Sequence, residues 1–214
     1  MERAWLEIEI TVDTVNWKGE PIKLSEVKAI KNAVTGELLV HPSEIAKAEV
    51  RQIAECFNLQ PRDVATLLMI QAKPSFFKEG EVFYKYHLQK QLFYLWKTLD
   101  KCGYGESLPV DHFVAAKNGP KPENLDADLQ RLVEKKLITI KKEKWDNIES
   151  KRITLTPEGA KTAEAIWNVL PDPYKEVAIK VKERIHPLTP DRVRHLVHNE
   201  YPEYKNTYTE NDIE

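Results

Sequence analysis

The feature that most constrains the fold is a change of hydrophobic period between residues 83 and 170. Apolar residues recur at helical spacing over 83–101 and 122–136 and alternate with polar residues over 138–141 and 152–155. They recur at helical spacing again after 156. Thr156-Pro157-Glu158 is typical of a helix start, because a capping hydroxyl, a proline and a first-turn acid stand together. Helix, helix, hairpin and helix in this order predict a winged-helix-like domain.

The first forty residues predict a small antiparallel sheet. Apolar and polar residues alternate strictly from Trp5 to Asp13, which is typical of a half-buried strand. Thr35-Gly36 stands between two further strand-like runs and predicts the reversal of a hairpin over 27–40. Two helices follow, the first predicted to be capped by Ser43 and the second to begin at Pro61.

These patterns predict an α+β chain with four consecutive parts. The parts are a sheet with a helix-turn-helix-like pair over 1–78, the winged-helix-like domain over 79–170, two further helices over 171–200 and a polar tail over 201–214. At 214 residues the chain is long enough for one large domain or two small ones, each with a buried core.

The stretch Ile53–Leu68 has the pattern of a helix-turn-helix. The small Ala54 lets two helices cross closely, and Asn58 stands in the turn, where a left-handed conformation is needed. The second helix is predicted to turn outward the face Arg62, Asp63, Thr66 and Met69. Arg62 and Thr66 are therefore candidate DNA contacts. An ordinary corner between two helices is the competing interpretation, which the single cation on that face favours.

Within the winged-helix-like domain, the helix at 122–136 is a poor reader of DNA. Its exposed residues are net acidic, and acids repel the phosphates that supply much of the affinity for DNA. The hairpin suits DNA better because cations cluster there. The candidate DNA contacts on this hairpin are Lys141, Lys142, Lys144, Lys151 and Arg152. A solvated hairpin tip explains the same cluster equally well.

The sequence contains no complete motif for catalysis, nucleotide binding or metal binding. It has 7 glycines without a phosphate-binding loop, and its serines, histidines and acids form no triad signature. His195 and His198 have the spacing of two metal ligands on one helix, but no carboxylate motif completes the set. We therefore expect no cofactor, no metal and no enzymatic activity. An enzyme with an unrecognised site is the weakest hypothesis.

Charge and cysteine content favour a cytoplasmic protein. The formal net charge is −2, so any contact with nucleic acid has to come from a local basic patch. Cys56 and Cys102 lie in apolar helical stretches, so we expect two reduced, packed thiols, with a disulfide as the less favoured alternative. We see neither a signal peptide nor a run of about 18 apolar residues, and expect no membrane span.

Three short motifs resemble the Panacea family of antitoxins, which includes SocA-like, phage-associated proteins. They are Leu88-Gln89-Lys90-Gln91-Leu92-Phe93-Tyr94, Phe113-Val114-Ala115 and Asn118-Gly119-Pro120. Family members begin the domain with a Leu-Gln-Lys-Leu-Leu-Tyr-like helix and reach a Tyr-Gly-Pro-Val-like turn before the next helix. The resemblance covers about residues 84–170, and some members also carry a β module and a helix-turn-helix before it. It implies toxin neutralisation by direct binding, with autoregulation through DNA.

Our leading hypothesis is a non-catalytic, antitoxin-like regulator that binds a protein partner, a cognate toxin, through the winged-helix-like domain. A few aromatic and cationic anchors carry most of the energy of such contacts. The candidate partner contacts are Tyr94, Gln130, Arg131 and Trp145. The alternative is a transcriptional regulator that binds double-stranded DNA through Ile53–Leu68, the hairpin or the basic C-terminal helices. The sequence leaves the oligomeric state open, with a homodimer as one option.

Overall fold

The structure, a computed structural model, describes residues 5–15, 21–74, 83–104, 107–108, 112–116, 118–145 and 148–205; for residues 83, 144, 145, 148 and 149 it describes the backbone. The helices in this part are α1 (Pro42–Cys56), α2 (Pro61–Gln71), α3 (Lys85–Lys101), α4 (Leu125–Glu134), α5 (Pro157–Val169), α6 (Asp172–Ile185) and α7 (Pro190–Glu200). The strands are β1 (Trp5–Val15), β2 (Pro21–Asn32), β3 (Leu38–Val40), β4 (Phe83–Tyr84), β5 (Phe113–Val114), β6 (Lys121–Pro122), β7 (Ile138–Trp145) and β8 (Ile148–Leu155). The predicted α+β class is confirmed.

The first three strands form an antiparallel sheet in the order β1-β2-β3. Ile8 pairs with Ala29, which pairs in turn with Val40, so these three side chains share one face of the sheet. Helix α1 packs against that face, where Val27 is fully buried. The turn after β2 contains Gly36 at a φ of +73°, a conformation that glycine adopts readily, and the predicted hairpin is confirmed.

The helix caps follow the sequence with one exception. The hydroxyls of Thr156 and Thr189 accept backbone N–H groups at 2.9 and 3.4 Å and cap α5 and α7. The predicted cap at Ser43 is wrong. Helix α1 already begins at Pro42, before Ser43. Its cap is His41, whose Nδ1 accepts the Ser43 N–H at 3.2 Å. Proline suits the first helical position because its φ is already helical, so the cap moves to the residue before it.

One hydrophobic core extends from Ala46 to Val197 and includes residues of every helix from α1 to α7. Helix α2 lies at its centre, in contact with α1, α3, α4, α5 and α6. Its residues from Asp63 to Met69 are all buried. The predicted outward face of α2 is therefore wrong. Its apolar pattern indicated one buried side, whereas the neighbouring helices cover the other side as well.

The alternating stretches after α4 form a hairpin, as predicted. Strand β7 pairs with β8, with Ile140 opposite Ile153. Strand β4 joins β8 on its other edge, which the sequence pattern did not indicate. Helix α5 returns against the start of β7 at Gly159, where a Cβ atom would lie 1.7 Å from the Leu137 carbonyl oxygen. Only glycine allows this approach.

Helix α4 begins later than the helical spacing predicted. The spacing placed its start near residue 122, whereas the structure places it at Leu125. The preceding residues form β6, which pairs with β5 and brings Pro122 opposite Phe113. Pairing with the nearby strand β5 therefore shortens the helix, which helical periodicity alone does not reveal.

Both cysteines are free thiols, but neither is packed in the core. Cys56 is the last residue of α1, and Cys102 directly follows α3. Both side chains are exposed, so the prediction of packed thiols is wrong. The helices around them do carry apolar residues, but each cysteine lies at the C-terminal end of its helix, outside the core.

Candidate functional site

The two candidate DNA contacts of the helix pair lie between helices. Thr66 is 2% exposed and belongs to the buried side of α2. Arg62, at the start of α2, is half-buried, and its Nη2 donates to Asp128 Oδ1 at 3.0 Å. A side chain that is covered or paired inside the chain does not reach a base edge while α2 stays in the core.

A cluster of charged side chains joins α2 to α4. Arg131 donates to Asp63 through two parallel hydrogen bonds, Nε to Oδ2 at 3.0 Å and Nη2 to Oδ1 at 2.6 Å. The same Nη2 donates to Asp128 Oδ1 at 2.7 Å. The hydrogen bond to Asp63 raises the pKa of the Arg131 guanidinium above its usual value. The candidate partner contact Arg131 is thus held in an internal network.

The β7–β8 hairpin carries the other candidate DNA contacts. Lys141 and Lys142 lie on β7 with exposed side chains. They remain accessible cations on one strand of the hairpin. The side chains of Lys144 and of the candidate partner contact Trp145 lie outside the described part of the structure.

The two cations on β8 have acidic neighbours. Lys151 Nζ lies 3.6 Å from Asp126 Oδ1 on α4, and Arg152 Nη1 lies 3.2 Å from Glu143 Oε1 on β7. These acids offset part of the positive charge of the hairpin. The hairpin is therefore a weaker attractant for phosphate than its lysine and arginine content indicates.

Helix α4 presents acidic and polar side chains to solvent. Gln130 and Glu134 are exposed one turn apart, and Gln130 Nε2 donates to Glu134 Oε1 at 3.2 Å. Asp126 accepts a hydrogen bond from Lys85 on α3. The candidate partner contact Gln130 is accessible, on a surface whose acids oppose binding to phosphates.

The candidate partner contact Tyr94 belongs to the interior. It is 2% exposed, and its hydroxyl donates to Glu200 Oε2 at 2.9 Å. The rings of Phe93 and Tyr201 pack edge-on against it, with centroids at 5.8 and 5.7 Å. Burial raises the pKa of the Tyr94 phenol. Tyr94 therefore fastens α3 to the C-terminal residues.

The cations of the C-terminal helices also have acidic neighbours. Lys175 Nζ lies 2.6 Å from Asp172 Oδ1, and Arg194 Nη2 lies 3.1 Å from Asp191 Oδ1. These pairs lie within single helices, at three-residue spacing, and neutralise part of the basic surface that the sequence indicated. The described residues contain no group of three or more His, Cys, Asp or Glu side chains placed to hold a metal ion.

An exposed apolar surface that sequence analysis missed lies at one end of the N-terminal sheet. This N-terminal apolar patch, with members 37% to 52% exposed, comprises Trp5, Leu6, Ile30, Leu38 and Leu39. Leu6 and Leu38 share one face, and Ile30 and Leu39 share the other. The sequence does hold a signal for it, since two neighbouring apolar residues in a strand such as Leu38-Leu39 cannot both face one core.

Cavities open on the surface of the described residues, and two of them have volumes above about 300 Å³. The larger, the sheet groove, has a volume of about 660 Å³ and runs from β1 across β2 and β3 to the start of α1. The smaller, of about 370 Å³, contains Glu49, whose carboxyl pKa is raised by burial, and the ion pair Lys175–Asp172. Its lining offers an isolated acid and an ion pair, rather than a nucleophile beside its base.

No protein-family model matches the chain, and no curated protein matches it. Among the described residues, none of the helices combines the length and the apolar character that crossing a membrane requires.

Proposed function

We propose that this chain is a non-catalytic, cytoplasmic regulator of the antitoxin type that acts by binding a protein partner. The observation that carries the proposal is the N-terminal apolar patch. Its residues Trp5, Ile30 and Leu39 lie on one face at the end of the sheet beside Glu7, and Leu6 and Leu38 lie on the opposite face beside Lys31. Ile30 pairs with Leu39, and apolar surface rimmed by charged groups is typical of sites that bind other proteins.

We further propose that α3, α4, the β7–β8 hairpin and α5 form a winged-helix-like domain related to that of Panacea-type antitoxins. The order of these elements and the close approach of α5 at Gly159 support this assignment. Among the candidate partner contacts on this domain whose side chains the structure describes, Gln130 is accessible, and its neighbours are acidic. A toxin with a basic surface would complement this face of α4.

Binding to double-stranded DNA is the second candidate function, and one observation favours it. Lys141 and Lys142 are exposed side by side in sequence on β7, at the hairpin that contacts DNA in many winged-helix proteins. The burial of α2 and the acids on α4 oppose it, since neither helix offers a cationic face to a groove. We therefore rank protein binding first.

Co-expression with the product of the adjacent reading frame tests the first proposal. That product alone should arrest growth, and this chain should restore growth and purify with it as one complex. Ile30→Asp together with Leu39→Asp should abolish both effects, because a charge in an apolar contact is costly. The matched control is Ser25→Asp, which adds an acid at an exposed position of the same strand outside the patch and the sheet groove. Failure to form a complex, or full rescue by the double variant, would contradict the proposal.

Gel shifts with the promoter of the gene itself test the second candidate. If DNA is bound through the hairpin, affinity should fall steeply with added salt, and the triple variant Lys141→Ala, Lys142→Ala, Lys151→Ala should lose it. Absence of a shift at low salt, with a complex in the first experiment, would leave protein binding as the function.

A further inference from the structure

Strand β1 is an unprotected edge of the N-terminal sheet within the described residues. The strand order β1-β2-β3 places β1 outermost, and its only strand partner in the described part of the chain is β2. It is an eleven-residue strand, Trp5–Val15. An edge strand has a row of backbone N–H and C=O groups directed outward, which can pair with an added strand.

The side chains of β1 select which strand can be added. Glu7, Glu9 and Asp13 are exposed on one face together with Thr11, and Ile8, Ile10 and Val12 lie on the other face. Strand β2, which pairs with the inner edge of β1, places lysines opposite two of these acids. Glu9 lies opposite Lys28, and Asp13 lies opposite Lys23. Lys23 Nζ is 3.9 Å from Asp13 Oδ1. On the inner edge, β1 thus pairs with a strand that places lysines opposite two of its acids.

A second copy of β1 is a poor occupant of the outer edge. Antiparallel pairing of two β1 strands about Ile10 would place Glu7 of each copy opposite Asp13 of the other. Like charges directly opposite each other destabilise a strand pair. The edge therefore discriminates against its own copy by repulsion and favours a basic strand by attraction.

The sheet groove lies next to the β1 edge and adds a partly apolar surface to it. It begins at β1, where Glu7, Ile8 and Glu9 line it, and ends at His41 and Pro42. The apolar patch residues Ile30 and Leu39 also line it. Apolar side chains of an added strand, on the face that Ile8 shares, would lie beside this groove.

We propose that the outer edge of β1 binds an extended segment of the partner protein in which lysine or arginine alternates with apolar residues, added antiparallel to β1. The inference rests on the proposed function, since it names the segment of the protein partner that the regulator recognises. Main-chain hydrogen bonds supply affinity in strand addition, and the alternating side chains supply specificity.

A charge-swap experiment with two peptides tests this mode of binding. The probes are fluorescein-labelled ten-residue peptides, one alternating lysine with valine and one alternating glutamate with valine. Fluorescence anisotropy on the full chain should give at least tenfold tighter binding of the lysine peptide. The variant Glu7→Lys, Glu9→Lys should reverse this preference. The variant also carries Lys28→Glu, which keeps opposite charges at the pair of residues 9 and 28, and since all three side chains are exposed, the fold tolerates the change.

Hydrogen exchange locates the peptide on the chain. The bound lysine peptide should slow exchange of β1 amides and leave those of β7 and β8 unchanged. Lys141→Glu with Lys142→Glu is the matched control, since it alters charge at a distant hairpin. Equal affinity for the two peptides, a preference unaffected by the β1 swap, or protection away from β1 would overturn the proposal.

Failure of strand addition and failure of the proposed function give different experimental results. If neither peptide binds, but the partner complex forms and is lost with the Ile30→Asp, Leu39→Asp variant, strand addition is wrong and the proposed function stands. If the partner complex does not form, the proposed function fails whatever the peptides do. A dimer of this chain whose β1 amides are protected would show that the edge binds its own copy, against our inference.

Discussion

The burial of Asp63 decides the role of the charged residues around it. Its carboxylate is fully buried, and it accepts the Gln60 N–H at 2.9 Å as well as the two hydrogen bonds from Arg131. A buried carboxylate is stable only when it is paired and hydrogen-bonded. Asp63 therefore both caps α2 and requires a cation on α4, so these two helices are tied together by charge.

Replacing Arg131 with methionine tests this coupling. We expect the free energy of unfolding to fall by about 3–5 kcal/mol, because Asp63 would be left as a buried charge without its cation. Urea denaturation monitored by far-ultraviolet circular dichroism measures the change. Gln130→Ala is the matched control on the same helix, with an exposed side chain and an expected change below roughly 0.5 kcal/mol. Equal stability of the two variants would contradict the coupling.

Lys90 is a second buried charge, with a different consequence. Its side chain is 1% exposed, and its Nζ donates to the Pro120 carbonyl at 2.7 Å and lies 5.2 Å from the Tyr86 ring centroid. Burial lowers the pKa of the Lys90 ammonium to about 7. The sequence placed Lys90 in an antitoxin-like motif, and the structure shows that it holds the 118–120 turn against α3.

The lowered pKa of Lys90 makes stability depend on pH. Between pH 7 and about 10.4 the unfolded chain keeps the Lys90 proton and the folded chain releases it, so unfolding free energy rises with pH. Across that window the rise amounts to a few kcal/mol, at about 1.4 kcal/mol per pKa unit. Chemical denaturation at pH 7 and pH 9.5 should show a smaller increase for Lys90→Met than for the unsubstituted chain. Equal increases in both would show that Lys90 titrates normally.

Elements that local chemistry determines were predictable, and those that distant packing determines were not. The starts of α5 and α7 follow from Thr156-Pro157 and Thr189-Pro190, where the capping hydroxyl and the proline are neighbours. The burial of α2 from Asp63 to Met69 depends on helices as far away in sequence as α6, more than a hundred residues further on, so its apolar periodicity alone suggested an exposed face.

The same distinction between local chemistry and distant packing applies to the residues of the candidate site. The hairpin with Lys141 and Lys142 follows from alternation and composition, and the structure confirms the hairpin. The burial of Tyr94 depends on contacts with residues 200 and 201. The N-terminal apolar patch depends on how much of the sheet α1 covers. The burial of Tyr94 is not encoded in a local pattern, and the patch is encoded only in part, by the adjacent Leu38-Leu39.

The end of α2 offers a test at the scale of an element. Lys182 on α6 is fully buried, and its Nζ donates to the carbonyls of Met69 and Ile70 at 3.1 and 3.0 Å. These are carbonyls of the last turn of α2, where a cation also interacts favourably with the helix dipole. Lys182 thus joins α6 to the central helix.

We expect Lys182→Met to lower the free energy of unfolding by about 1–3 kcal/mol, because buried carbonyl groups would lose a charged donor. The control is Lys180→Met on the same helix, whose exposed ammonium lies 4.0 Å from Glu176. Such a surface pair is worth roughly 0.3–0.5 kcal/mol. Thermal and urea unfolding of both variants provide the measurement, and a larger loss for Lys180→Met would disprove the assigned role.

At the scale of the molecule, the residues that the structure describes form two hydrophobic clusters of very different size. The main core runs from Ala46 to Val197, whereas the sheet has a separate cluster of Leu24, Val27 and Ala48. Helix α1 contributes to both clusters, so it is the element that joins them. The apolar patch and the β1 edge both lie on this sheet, which packs on α1 through the smaller cluster. The sheet can therefore open locally at a lower free energy than the main core.

Native-state hydrogen exchange should resolve these two clusters as separate opening units. Amides of β1 and β2 should exchange through a local opening of lower free energy, and those of α2 and α3 only through global unfolding. Val27→Ala should lower the opening free energy of the sheet by roughly 1–3 kcal/mol and leave α3 unchanged, because it empties space only in the smaller cluster. Leu68→Ala, in the main core, should accelerate exchange in α2 and α3. If Val27→Ala accelerates every slow amide equally, the sheet and the helices unfold as one unit, and the sheet is not the independently adjustable surface that partner binding would use.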